Sequence, residues 1–314
     1  MPDDLDSVLA SQGGVATTAQ LLARLGRAGF ESRVAHGELV SIWTGIYART
    51  EPTLALRLRG VDLRAGQPVA VCLATAAAAY GFDTENSVEL HVLNPAGHQL
   101  RGGAGLIVHR RDGAPLTTLG GRPITPAAWT AVEVARELRR ARALATLDAA
   151  LRSRTCDQRQ LRAAAAAQAG RRGIVAVREL IPLATGQAES PMESEARLAM
   201  LDGGLPAPMV QYSIVDYSGR TWRVDFAWPD HLVAVEYDGF DYHSSPNDLR
   251  RDRQKRAALR EVGWTLLSIV ADDVRRRPAA MVRQIGVELT RASQAAHPVS
   301  SSVRVADRHA ELTT

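Results

Sequence analysis

Cysteine is scarce in this chain of 314 residues: only Cys72 and Cys156 occur. They lie far apart and form no CxxC pair, which excludes a disulfide framework and a zinc-ligand spacing. Long hydrophobic runs are also missing. The longest apolar stretch, around residues 68–80, falls well short of the ~20 residues needed to cross a bilayer. The start, MPDDLDSVLA, is acidic and lacks the basic head and apolar core of a signal peptide. The expectation is therefore a cytoplasmic protein with no membrane partner. A content of 46% hydrophobic and 23% charged residues argues against disorder and fits a soluble globular chain. At ~100–200 residues per domain, two or three domains are expected. A net charge of +4 and a pI near 9.4 suit a nucleic-acid partner without demanding one. Most of the basic surplus is arginine, which suits bidentate phosphate contact.

Residues 1–50 read as a small helical unit closed by a hairpin. Leu5, Val8 and Leu9 share a helical face, and Gly13-Gly14 breaks it. Thr17 can cap a second helix through Leu25. Gly29 to Ser32 reads as a turn, with Ser32 capping a third helix that ends at Gly37. Leu39–Trp43 and Ile46–Ala48 then form a hairpin around Thr44-Gly45. Three helices and a hairpin follow the order of a winged helix-turn-helix, whose third helix enters the major groove. Arg33 and His36 are its candidate DNA contacts, opposed by Glu31 and Glu38. A protein-binding or linker module fits the same order.

Residues 51–185 form a mixed α/β stretch. Gln67 to Ala79 begins as a strand and runs into an alanine-rich helix, and Val88–Leu93 and Gly105–Arg110 are strand-like. Pro126 to Leu151 reads as one long amphipathic helical region, with Trp129, Val132, Ala135 and Leu138 at helical spacing. Further helices are expected over Gln160–Gln168 and Ile174–Ile181. His91, His98 and His109 are scattered and suggest no metal site. The turn-forming run from Pro182 to Pro191 is the best domain boundary. A third domain is expected over residues 186–290, and a loose tail over 291–314.

The chemistry concentrates after that boundary. Ser190 with Pro191 and Glu193 reads as a capping box opening a helix. Val210–Val215 and Thr221–Trp228 form an expected hairpin around Ser218-Gly219, and His231 to Asp238 reads as an apolar strand ending in acids. An apolar strand of this kind is usually buried in a sheet. Burying Glu236 and Asp238 without partners would cost on the order of several kcal/mol or force protonation. A cation removes that cost if Asp225 and Glu236 converge on it, and hard oxygen ligands suit Mg²⁺. A set of acids salt-bridged to the nearby arginines is the alternative. Arg250, Arg251, Arg253, Lys255 and Arg256 fall on one expected helix, read either as phosphate contacts or as a solvated face.

The order SPME at Ser190–Glu193, RVDFAWP at Arg223–Pro229, VAVEYDG at Val233–Gly239, His243 and DLRRDRQKRAALREVGW at Asp248–Trp264 resembles the PD-(D/E)XK nucleases. More narrowly, it resembles domains related to very-short-patch-repair endonucleases. LVSIWTGIYAR at Leu39–Arg49 is similar to the winged helix of AbiEi-type antitoxins. The resemblance implies an α/β (α+β) chain with a restriction-endonuclease-like mixed sheet flanked by helices. It makes Asp225 and Glu236 ligands for Mg²⁺ or Mn²⁺, with the Tyr237 carbonyl a third. Glu193 would lie near them, Glu195 being its fallback. The family's lysine position is held by Asp238, so His243 becomes the proton-transfer candidate. The implied activity is hydrolysis of phosphodiester bonds in DNA, with Arg250, Arg253 and Arg256 contacting the nucleic acid. The rival is a non-catalytic AbiEi-type antitoxin or regulator that binds DNA and a cognate toxin protein.

Overall fold

The computed structural model describes residues 4–82, 84–97, 99–110, 113–239 and 246–296, and its chain divides into compact units at residues 1–194 and 195–314. Both helices and sheets build each unit, in keeping with the α/β class expected.

The N-terminal unit opens with α1 (Asp4–Ser11), β1 (Val15–Thr17), α2 (Thr18–Ala35), β2 (Val40–Trp43) and β3 (Ile46–Ala48). Thr17 caps α2 as its sequence position predicts: its hydroxyl accepts from the Gln20 N–H, and Gln20 returns a bond to the Thr17 N–H. The break inside α2 falls at Gly26, whose φ of 66° and ψ of 171° leave the helix, and not at Gly29–Ser32. Glycine takes that backbone without a Cβ clash, whereas Ser32 stays helical. The expected hairpin is present, and β1 adds to it as a strand not foreseen, giving the order β1-β3-β2. Leu5, Leu9, Ala16, Leu21 and Leu39 form its small core.

Next come α3 (Leu54–Ala65), α4 (Leu73–Ala79), β4 (Leu90–Leu93), β5 (Leu106–His109), β6 (Thr117–Leu119) and β7 (Arg122–Ile124). Strands β4 and β5 pair in parallel, and β6 and β7 antiparallel. Gly60 lets α3 lie close on the N-terminal sheet, since a Cβ there would stand 2.7 Å from Trp43 Cδ1. The unit ends in α5 (Ala127–Ala135), α6 (Arg140–Arg152), α7 (Gln158–Ala167) and α8 (Ile174–Leu180). The single helical region expected over 126–151 is thus two helices. No proline or glycine marks the break. It coincides with the approach of Gly173, where a Cβ would meet the Arg136 carbonyl oxygen at 2.2 Å.

Helix α9 (Pro191–Asp202) crosses the division between the units. The C-terminal unit holds β8 (Met209–Val215), β9 (Thr221–Trp228), β10 (Val233–Tyr237), α10 (Pro246–Glu261), β11 (Thr265–Ile269), α11 (Ala271–Arg275) and α12 (Pro278–Ala296). Its sheet runs β11-β10-β9-β8, with β10 parallel to β11 and the other pairs antiparallel. This is the mixed sheet that the resemblance implied. Ile214, Trp222, Val224, Ala227, Ala234, Leu259 and Trp264 pack one core, with Leu259 bringing α10 onto the sheet. Helix α12 continues to Ala296, five residues beyond the expected onset of the tail at 291; residues 297–314 lie outside the described ones.

Candidate active site

The β8–β9 hairpin closes on an Asp216 turn. The Asp216 carboxylate accepts from the Ser218 and Arg220 N–H groups, the Ser218 hydroxyl and the Trp222 indole, which together hold it down at a pKa of about 2. From that fixed turn, the pairs Tyr212↔Val224 and Val210↔Phe226 set Gln211 opposite Asp225. On the other side of β9, the ladder with β10 runs Val233↔Trp228 to Val235↔Phe226. One step further, Glu236 stands opposite Asp225, and the Tyr237 N–H donates to Asp225 Oδ2 at 2.8 Å. Register with β11 places Ser268 beside Glu236. A polar row therefore crosses the sheet: Gln211, Asp225, Glu236, Ser268.

The two carboxylates that the sequence singled out are thus brought together. Burial raises the pKa of Asp225, opposed by the bonds from Tyr237 N–H and Gln211 Nε2. Burial also raises that of Glu236, opposed by Lys255 and reinforced by the charges of Asp225 and Asp238. Burial disfavours the charged form of each group, and a bound cation would offset that.

Lys255 on α10 was not singled out, yet its Nζ donates to Glu236 Oε1 and to the Arg223 carbonyl. The signal was in the composition: Lys255 is the one lysine among 38 lysine and arginine residues. An ammonium thus stands beside Glu236 from a helix, while Asp238 holds the position just after strand β10. Asp238 itself is half-exposed and 3.8 Å from Arg256, whose guanidinium also bonds the Ser268 hydroxyl.

The remaining expected residues fall elsewhere. Glu193 belongs to the N-terminal unit, where its Oε2 accepts from the Glu189 N–H at 2.8 Å while its own N–H donates to Ser190 Oγ. The capping of α9 is thus present, with the return bond made one residue earlier than expected. Glu195 is held by Arg275 in a two-pronged ion pair of 2.8 and 3.0 Å. His243 lies outside the described residues. Arg250 and Arg253 are exposed on α10 with Arg256. Arg33 stands 4.0 Å from Glu38, and the His36 ring nitrogen donates to the Ser32 carbonyl. His91 and His109, read as scattered, meet at 2.9 Å between β4 and β5.

Among the described residues, no three His, Cys, Asp or Glu side chains gather to hold a metal. A divalent cation would rest on the Asp225–Glu236 pair with backbone oxygen and water. That oxygen-only donor set fits a hard cation such as Mg²⁺, which keeps several waters and takes one or two carboxylates.

Comparison with known proteins finds two family matches, one in each compact unit. Residues 69–183 match the AbiEi antitoxin C-terminal domain, and residues 211–289 match REase_MTES_1575, a restriction-endonuclease-like domain. The first match falls downstream of the Leu39–Arg49 segment, on the central α/β stretch. Two Mycobacterium tuberculosis proteins, "Uncharacterized protein MT2308" (strain CDC 1551 / Oshkosh) and "Uncharacterized protein Rv2248" (strain ATCC 25618 / H37Rv), are each 54% identical over 263 residues, covering 84% of this chain and 97% of the relative. The chain belongs to one family with these mycobacterial proteins, and carries an AbiEi antitoxin C-terminal domain followed by a restriction-endonuclease-like domain.

Proposed function

We propose that the restriction-endonuclease-like domain is a metal-dependent endonuclease that hydrolyses phosphodiester bonds in DNA. The observation that carries this reading is the meeting of Asp225, Glu236 and Lys255 on adjoining elements of one sheet and helix. Asp225 and Glu236 would hold Mg²⁺ or Mn²⁺, with the Tyr237 carbonyl as a further oxygen. When bound, the cation lowers the pKa of a water and stabilises charge on a phosphoryl oxygen.

The chain's own groups do the rest. Lys255, already beside Glu236, offers a compact ammonium whose three donors can orient an attacking water or a phosphate oxygen. Asp238 extends the acidic surroundings, and His243 takes or gives a proton near neutral pH. Arg250, Arg253 and Arg256 on α10 contact phosphates, and residues 1–50 act as a winged helix whose Arg33 and His36 face DNA. The protein works in the cytoplasm.

The test is cleavage of plasmid, single-stranded and mismatched DNA with Mg²⁺ or Mn²⁺, comparing the wild type with the Asp225→Ala/Glu236→Ala double variant. Cutting that needs the cation and disappears in the double variant supports the reading. Equal background in both proteins, together with no cation binding, sinks it.

The match of residues 69–183 to an AbiEi antitoxin C-terminal domain favours a second reading. In that case the chain binds DNA as a regulator and restrains a cognate toxin protein without catalysis. It would then protect cells from a co-expressed toxin equally well with Asp225 and Glu236 replaced.

A further inference from the structure

Gln211 combines two features that are unusual together. Its φ of 54° is left-handed, at the third residue of the seven-residue strand β8. A non-glycine side chain is uncommon there, because Cβ crowds the backbone carbonyl. An inserted residue does not account for it. The pairs Met209↔Ala227, Val210↔Phe226, Tyr212↔Val224 and Ser213↔Arg223 keep one constant register on both sides of Gln211, whereas a bulge would shift it. The second feature is where the side chain goes: Gln211 Nε2 donates to Asp225 Oδ1 at 3.2 Å. Backbone strain of this kind persists where the surroundings enforce it, and it gathers at functional sites.

The two oxygens of Asp225 are thereby treated alike. Oδ1 accepts from the Gln211 amide and Oδ2 from the Tyr237 N–H. An ionised carboxylate has about four acceptor positions, so one donor on each oxygen fixes the group and still leaves both oxygens able to bind a cation. Tyr237 supplies its donor from the backbone of β10, which the sheet fixes in any case. Gln211 is the side chain that completes the grip, and only from β8.

We propose that Gln211 is a positioning residue of the candidate cation site, its amide aimed by a left-handed backbone to hold Asp225 in its binding orientation. This inference rests on the metal-dependent reading given above and adds to it a residue on a third strand. Groups that hold a metal ligand in place change metal affinity by about 10–100-fold when removed. A residue serving only the strand would alter stability and leave affinity alone.

The experiment is Mn²⁺ titration of the full chain by calorimetry, well below each variant's melting temperature, with circular dichroism to establish folding. The proteins are the wild type, Asp225→Ala, Gln211→Leu and Gln211→Gly. Leucine removes the donor at similar size, and glycine removes it while releasing the backbone strain. The expected result is a dissociation constant raised about 10–100-fold in both Gln211 variants, with the glycine variant folded, and binding abolished by Asp225→Ala. Wild-type affinity in either folded Gln211 variant overturns the inference and leaves the metal-dependent reading standing. A wild type that takes up no Mn²⁺, or whose binding survives Asp225→Ala, overturns both.

Discussion

Arginine serves almost everywhere a cation is needed in this chain, and lysine only at position 255. A guanidinium is planar and spreads its charge, whereas an ammonium is a compact point charge with three donors. Lys255→Arg should therefore keep the charge beside Glu236 yet lower single-turnover DNA cleavage by about 10²-fold. A rate within about twofold of wild type would show that charge alone suffices at this position. Asp225 carries a different test. Its folded pKa is raised, with burial the main cause. A carboxyl shifted upward stabilises the fold in full below its unfolded pKa of ~3.9, and that contribution is lost as pH rises through the folded value. In EDTA, Asp225→Asn should accordingly melt higher than wild type at neutral pH, the gap closing on acidification towards pH ~4. An asparagine variant that melts lower at pH 7 would contradict this. At this scale the acids were legible because carboxylates in apolar strands demand a partner. Gln211 was not, since nothing in a strand pattern reveals a positive φ, and Lys255 needed a comparison of lysine with arginine usage.

Element boundaries were legible where local chemistry decides them. The Thr17 cap, the Thr44-Gly45 hairpin and the strands around Asp225 and Glu236 all follow from capping, turn and alternation rules. They were illegible where packing decides, as at Arg136, where the approach of Gly173 accompanies a break that no breaker residue announces. Gly60 is another such contact. Gly60→Ala should cost about 1–3 kcal/mol, by pressing a methyl against the Trp43 indole. Chemical denaturation would read this as a lower midpoint with the slope unchanged. Helix α10 is to be tested through salt. Arg250 and Arg253 are exposed and lie on the helix that carries Lys255 to the site. If each contacts one phosphate, replacing both by alanine should reduce the dependence of log K on log[salt] for duplex DNA by about 1.8, at ~0.9 per contact. Weaker binding with an unchanged slope would assign α10 another role.

At the scale of the molecule, each compact unit buries its own apolar clusters. Phe82 and Leu144 are fully buried in one, Phe226 and Leu259 in the other. Domains with separate cores unfold separately unless a large interface couples them. A cation that binds only the folded C-terminal unit raises the stability of that unit alone, by about 2.7 kcal/mol at a concentration 100 times its dissociation constant. Scanning calorimetry in EDTA should therefore resolve two transitions, and saturating Mn²⁺ should move one and leave the other in place. Asp225→Ala should cancel that movement, because it removes a carboxylate of the site without touching the clusters of residues 1–194. A shift of both transitions by Mn²⁺ would mean that the units are coupled. A shift that persists in Asp225→Ala would place the cation away from the Asp225–Glu236 pair.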